Sequence, residues 1–161
     1  MDGNQNTEAA VMTNDVIFAG KSEHTLDGKG RLIVPAKFRD GLGARFWVTK
    51  GIENCLYLYP ESEWRLIADA FRRQPMNTKQ KRIVQRRFFA GASECEIDKQ
   101  GRILIPSDLR EFAGIEKDVV SVGNLNHVEI WDAGRYVEET EDDDFDMEDM
   151  TAELDDMGIR F

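Results

Sequence analysis

Two short segments hold the residues best placed to do chemistry. In "HTLDGKGRLIVPAKFR", residues 24–39, Asp27 precedes Arg31 by four positions, with Lys29 between them. In "CEIDKQGRILIPSDLR", residues 95–110, Asp98 precedes Arg102 in the same way, with Lys99 between. For one copy a structural explanation suffices: the Asp carboxylate accepts hydrogen bonds from the backbone of a tight turn and pairs with the Arg across it. Two copies change the weighing. Lys29, Arg31, Lys99 and Arg102 then form paired basic turns on one scaffold. A guanidinium fixed on a turn beside an ammonium suits a phosphate or a guanine edge, where its fork binds through two hydrogen bonds.

Catalysis has little support. His24 and His127 lie at the edges of the two segments, in positions that do not correspond. No Gly-x-Ser-x-Gly, phosphate-binding loop or paired-carboxylate pattern is present. Asp27 and Asp98 each neighbour an Arg, which keeps a carboxylate ionised and a poor proton donor. Cys55 and Cys95 with the two histidines lack the spacing of a zinc site. Two cysteines are also too few for a disulfide framework and favour a reducing cytosol. No catalytic residue, metal or cofactor is expected.

The turns must be positioned by elements that are themselves repeated. Asp27, Gly30, Arg31, Pro35 and Arg39 match Asp98, Gly101, Arg102, Pro106 and Arg110 at a spacing of 71 residues. The spacing then becomes 72, matching Gly51 with Gly123, Leu58 with Ile130, Tyr59 with Trp131 and Trp64 with Tyr136. The chain is an internal duplication. Each copy reads as a strand, a turn, a second strand, a short helix and two more strands. Gly28, Gly30 and Gly101 serve the turns, where a glycine accepts the positive φ that a tight reversal demands. The runs "RLIVP" and "RILIP" suit buried strands. Pro35 and Pro106 open the short helices, and Gly43 and Gly114 close them. Between the copies, Trp64, Ile67, Ala68 and Phe71 recur at helical spacing up to Pro75. A second helix covers roughly residues 79–89, with Ile83, Val84 and Phe88 on one face.

Charge divides the chain. Residues 138–161 hold 12 Asp/Glu and one Arg, which leaves the remainder with 20 Lys/Arg against 19 Asp/Glu. The net charge of −10 is therefore a nearly neutral body with an acidic tail. Residues 72–87 carry seven basic residues and no acidic one. They form a solvated face, a surface that pairs with acidic groups of a neighbouring subunit, or a phosphate-tracking stripe. Trp47, Tyr57, Tyr59, Trp64 and Trp131 read as core, whereas Phe88 and Phe89 beside the basic stripe look exposed and suited to head-to-tail association. The tail should begin disordered. Its end places Met150, Leu154, Met157 and Phe161 at helical spacing, suited to a partner-induced helix. On a flexible tether it would also compete with phosphate at the basic turns. Residues 1–15 are polar and acidic, unlike a signal peptide, and no apolar stretch is long enough to span a membrane.

The two quoted segments, with "IDKQGRILIPSDLREFAGI" extending the second, resemble the two signatures of the MraZ family. These are bacterial transcriptional regulators associated with the division and cell-wall gene cluster and related to the AbrB-type swapped-hairpin proteins. The resemblance covers about residues 16–137. It implies a mainly β, α+β fold in which two tandem swapped-hairpin repeats interlock into one pseudo-two-fold β-barrel, a dimer written into a single polypeptide. The resulting division is a disordered segment 1–15, a first repeat 16–64, a helical basic linker 65–93, a second repeat 94–137 and an acidic flexible tail 138–161. The resemblance further implies double-stranded DNA as partner, bound through Asp27/Arg31 and Asp98/Arg102. It also implies ring-shaped homo-oligomers that read short direct repeats in promoters, a cytoplasmic and nucleoid-associated location, and no membrane. A rival reading is an oligomeric scaffold that docks partners through its tail, with purely structural turns.

Overall fold

The computed structural model describes residues 16–141 and 144–161. The expectation of a disordered segment over 1–15 falls outside them. Buried apolar residues from most of the strands of both copies meet in one core. The first copy contributes β1 (Lys21–Thr25), β2 (Arg31–Ile33), helix α1 (Ala36–Leu42), β3 (Arg45–Lys50) and β4 (Leu56–Pro60). The second contributes β5 (Ser93–Glu96), β6 (Arg102–Leu104), α4 (Ser107–Ala113), β7 (Asp118–Asn124) and β8 (His127–Asp132). Each β4-type strand runs into a helix, α2 (Glu61–Arg73) after β4 and α5 (Ala133–Thr140) after β8. Helix α3 (Lys79–Ala90) joins the copies, and α6 (Met147–Asp156) follows α5.

Six strands form one antiparallel sheet in the order β1-β7-β8-β4-β3-β5, and β2 pairs with β6 in a separate two-stranded ribbon. Exchanging the two copies turns the six-strand order into its own reverse. The first strand of each copy pairs with the third strand of the other, β1 with β7 and β5 with β3. Neither copy completes a sheet alone, so the duplication is a swapped pair in one chain.

The core lies between sheet and ribbon. Leu32, Val34, Ile103 and Ile105 from the ribbon side join Phe46, Val48, Leu58, Val119, Val128 and Ile130 from the sheet in one buried cluster, closed by Phe38 and Leu109 of the short helices. Burial of side chains of this size is worth about 1.5–3 kcal/mol each. Two expectations change. The outer strands β1 and β5 are not paired with each other, so among the described residues the backbone ladder stays open and no closed barrel forms. Both strands are short and lead into the Asp turns, which divert the chain into the ribbon. Nor are the runs "RLIVP" and "RILIP" buried throughout, since Ile33 and Leu104 remain 49% and 60% exposed. A ribbon has one face on the core, and alternate residues must point away from it.

A second apolar cluster fastens α2 and α3 to the sheet. Trp64 stacks on Trp47 and on Phe88 at centroid distances of 5.0 and 5.1 Å, and Phe71 meets Phe89 edge-on at 5.3 Å. Phe88 and Phe89 are therefore half-buried rather than exposed. Helix α2 stops before Pro75, and Thr78 caps α3 by accepting from the Lys81 amide. The end of the acidic tail, where Met150, Leu154 and Met157 stand at helical spacing, holds α6 within the single chain. The Asp146 carboxylate accepts from the Glu148 amide at 2.9 Å, and acids in the first turn complement the helix dipole.

Candidate nucleic-acid interface

Each Asp-x-x-Gly-Arg turn is organised by its own carboxylate. Asp27 Oδ1 accepts from the amides of Lys29 and Arg31 at 2.9 and 2.8 Å, and Oδ2 accepts from Arg31 Nε at 2.7 Å. Asp98 repeats the pattern with the amides of Gln100 and Arg102, and with Arg102 Nε, all at 2.9 Å. Gly30 and Gly101 take φ of 80° and 79°, the left-handed geometry that favours glycine. Gly28 has no such requirement, and Lys99 occupies its place in the second copy. Hydrogen bonds from the Arg31 backbone and side chain and the Lys29 backbone hold the Asp27 carboxyl below the usual aspartate range, against some desolvation. Asp98 is lowered in the same way by Arg102 and Gln100.

The structure brings the two turns together. The amide of Ile105 donates to Gly30 O and that of Val34 to Gly101 O, both at 2.9 Å. Arg110 Nε donates to Ile105 O and its guanidinium lies over Gly30, while Arg39 Nε donates to Val34 O and its guanidinium lies over Gly101. Each copy thus roofs the other's turn. Arg102 Nη1 comes within 3.9 Å of Asp27 Oδ2, linking the turns directly. Lys29 and Lys99 are exposed on them.

Between the turns lies the outer face of the ribbon. Its register sets Arg31 opposite Leu104 and Ile33 opposite Arg102. The Arg31 and Arg102 side chains, 32% and 24% exposed, therefore share a face with two exposed apolar residues. Sequence reasoning missed Ile33 and Leu104 by treating their runs as wholly buried; the period-two alternation was the signal. It noted the match of Arg39 with Arg110 without assigning a role.

The other candidates lie apart from this face. His24 Nε2 meets Ser121 Oγ at 2.6 Å, and burial lowers its pKa. His127 sits against Glu129, which also accepts from Trp131 Nε1. Burial raises the Glu129 pKa, but hydrogen bonds from His127, Trp131 and Asn124 outweigh it and leave a net lowering. Burial pushes the Cys95 thiol up to about 12 and Cys55 higher still, so both are inert. Among the described residues, no group of His, Cys, Asp or Glu is placed to hold a metal, and no helix is long and apolar enough to cross a membrane. No hydrogen bond or ion pair among them joins α3 to either turn.

A family model described as "MraZ protein, putative antitoxin-like" matches this chain twice, over residues 17–87 and 88–157. The chain belongs to the MraZ family. Proteins named transcriptional regulator MraZ are similar to it over most of its length. That of Clostridium beijerinckii is 49% identical over 143 residues, covering 89% of this chain and all of the relative. That of Desulfitobacterium hafniense is 53% identical over 115 residues, or 71% of this chain and 80% of the relative. That of Caldicellulosiruptor bescii is 42% identical over 140 residues, or 87% and 98%. The name these MraZ proteins carry describes a regulatory, non-enzymatic role. The two matched segments agree with the duplication read from the turns.

Proposed function

We propose that the chain is a sequence-specific DNA-binding transcriptional regulator that reads double-stranded DNA with the paired turns and the ribbon between them. The observation that carries this reading is the joint presentation of Arg31 and Arg102 on one two-stranded ribbon. The major groove of B-DNA admits such a ribbon. Pairing with Asp27 and Asp98 orients each guanidinium through Nε. Among the described residues, the Nη nitrogens of Arg31 have no protein hydrogen-bond partner and are available to a base edge or phosphate. Lys29 and Lys99 add charge for the backbone on either side. In the second turn, Gln100 Oε1 accepts from Arg102 Nη2, so the two halves present different groups to DNA.

The regulator acts as a ring-shaped homo-oligomer on short direct repeats upstream of the division and cell-wall gene cluster, its own operon included, in the cytoplasm at the nucleoid. Several modest contacts per ring become tight binding because later contacts are intramolecular. A gel shift with the operon's upstream region tests this reading. Retarded complexes are expected with that duplex and not with a scrambled one of equal composition. Equal retardation of both would remove sequence specificity, and retardation of neither would leave the chain an oligomeric scaffold with structural turns.

A further inference from the structure

Helix α3 carries Ile83, Val84, Phe88 and Phe89, yet none of its residues is fully buried. Val84 stays 59% exposed. With Ile67 and Phe71 of α2, Tyr59 of β4 and the loop residue Ile52, Val84 and Phe88 line an open groove of about 560 Å³. Ile52 is 89% exposed. Contiguous apolar surface of this kind marks an interaction site, and a groove between helices takes the apolar face of another helix.

The charge around the groove narrows the choice of occupant. Helix α3 carries Lys79, Lys81, Arg82, Arg86 and Arg87, and among the described residues no carboxylate lies within ion-pair distance of any of them. Lys50 and Arg87 line the groove itself. The occupant should therefore be a helix that is apolar on one side and acidic on the other.

The chain's own C-terminal segment has that character. Met147, Met150, Leu154 and Met157 recur at helical spacing through and just beyond α6. Glu148, Asp149, Glu153, Asp155 and Asp156 occupy the positions between, and Arg160 is the only base in 144–161. Methionines adapt to irregular apolar surfaces. Helix α6 has no buried residue, with Met147 and Met157 67% and 72% exposed. A free helix of this length is marginal in water, so its stability calls for a surface to lie on. The basic turns offer charge to the tail but no apolar groove for its methionines.

We propose that residues 144–161 of one chain dock as a helix in the α2–α3 groove of a second copy. Within a single chain both surfaces stand open, so each copy presents one half of the contact at each of two places. Such a heterologous contact propagates head to tail and closes into a ring if its rotation permits. The inference rests on the ring assembly proposed above, for which it supplies the surfaces, and is independent of DNA recognition.

Light scattering on full-length variants tests it. Val84→Asp spoils the groove and Leu154→Asp the tail, each on exposed or half-exposed surface; Ile52→Asp is a second groove variant should Val84→Asp fail to fold. The wild type is expected at several times 18.4 kDa, and each variant alone at 18.4 kDa. An equimolar mixture of a groove variant with the tail variant should recover a pair and nothing larger, because only one intact groove and one intact tail remain per pair. A variant that keeps the wild-type mass, or a mixture that stays monomeric, overturns the proposal. So does a monomeric wild type, whether its groove holds its own tail or another protein. Arg31→Ala with Arg102→Ala should retain the wild-type mass, so an assembled wild type that fails to bind the operon's upstream duplex counts against the DNA reading and not against this contact.

Discussion

A Cβ added to Gly30 would lie 2.8 Å from Cζ of Arg110, because the arginine of the second copy's short helix covers the turn of the first. Arg39 stands over Gly101 in the same relation. Each turn is shaped from within by its Asp and from above by the other copy. That explains why the two sequences keep glycine and arginine in step across 71 residues.

Gly30→Ala and Gly101→Ala should each destabilise the fold. A non-glycine residue in left-handed backbone costs about 1–2 kcal/mol, and the displaced guanidinium adds to that. Gly28→Ala is the control, since its Cβ would meet nothing within 4 Å. Urea unfolding of the three variants should show two lowered midpoints and one unchanged. Three equal midpoints would refute the roofed-turn geometry.

The carboxylates of the turns give a signed pH dependence. Their folded pKa values lie below the ordinary aspartate value, so their contribution is present above that value, about 3.9, and lost as pH falls through the folded one. The stability difference between wild type and the Asp27→Asn, Asp98→Asn variant should be constant from about pH 8 to about pH 5 and shrink below about pH 4. A difference that disappears near neutrality would contradict the assignment.

Ile33 and Leu104 should act at the DNA rather than in the fold. Substitution of either by Ser at an exposed position should change stability by no more than about 0.5 kcal/mol. Apolar side chains in the major groove contact the thymine methyl. Replacing thymine by uracil in the cognate duplex should therefore weaken the wild type and leave the Ile33→Ser, Leu104→Ser variant little affected. Equal losses for both proteins would remove these residues from the interface.

The duplication was legible because glycine, proline and the Asp–Arg pairs punctuate it at fixed spacing, and β-branched runs mark its strands. The interlocking of the two copies came from the family resemblance and not from local pattern, because strand exchange is a tertiary pairing that leaves no local signal. The exposure of Ile33 and Leu104 follows from that same pairing, which decides which face of a short strand meets the core. The open ends at β1 and β5 were hidden for the same reason. In the tail, the helical spacing of Met150, Leu154 and Met157 was legible, while the start of the helix is set by Asp146 and the first-turn acids through local capping.

The most direct test of the account is a salt titration of DNA binding by the Arg31→Ala, Arg102→Ala double variant, on a duplex from the operon's upstream region and on a scrambled duplex. Each lost base contact should cost about 1–3 kcal/mol on the cognate duplex, repeated in every engaged subunit. The variant should stay folded and assembled, and bind both duplexes with the same weak, salt-sensitive affinity. A folded variant that still prefers the cognate duplex as the wild type does would contradict the assignment of the paired turns to DNA.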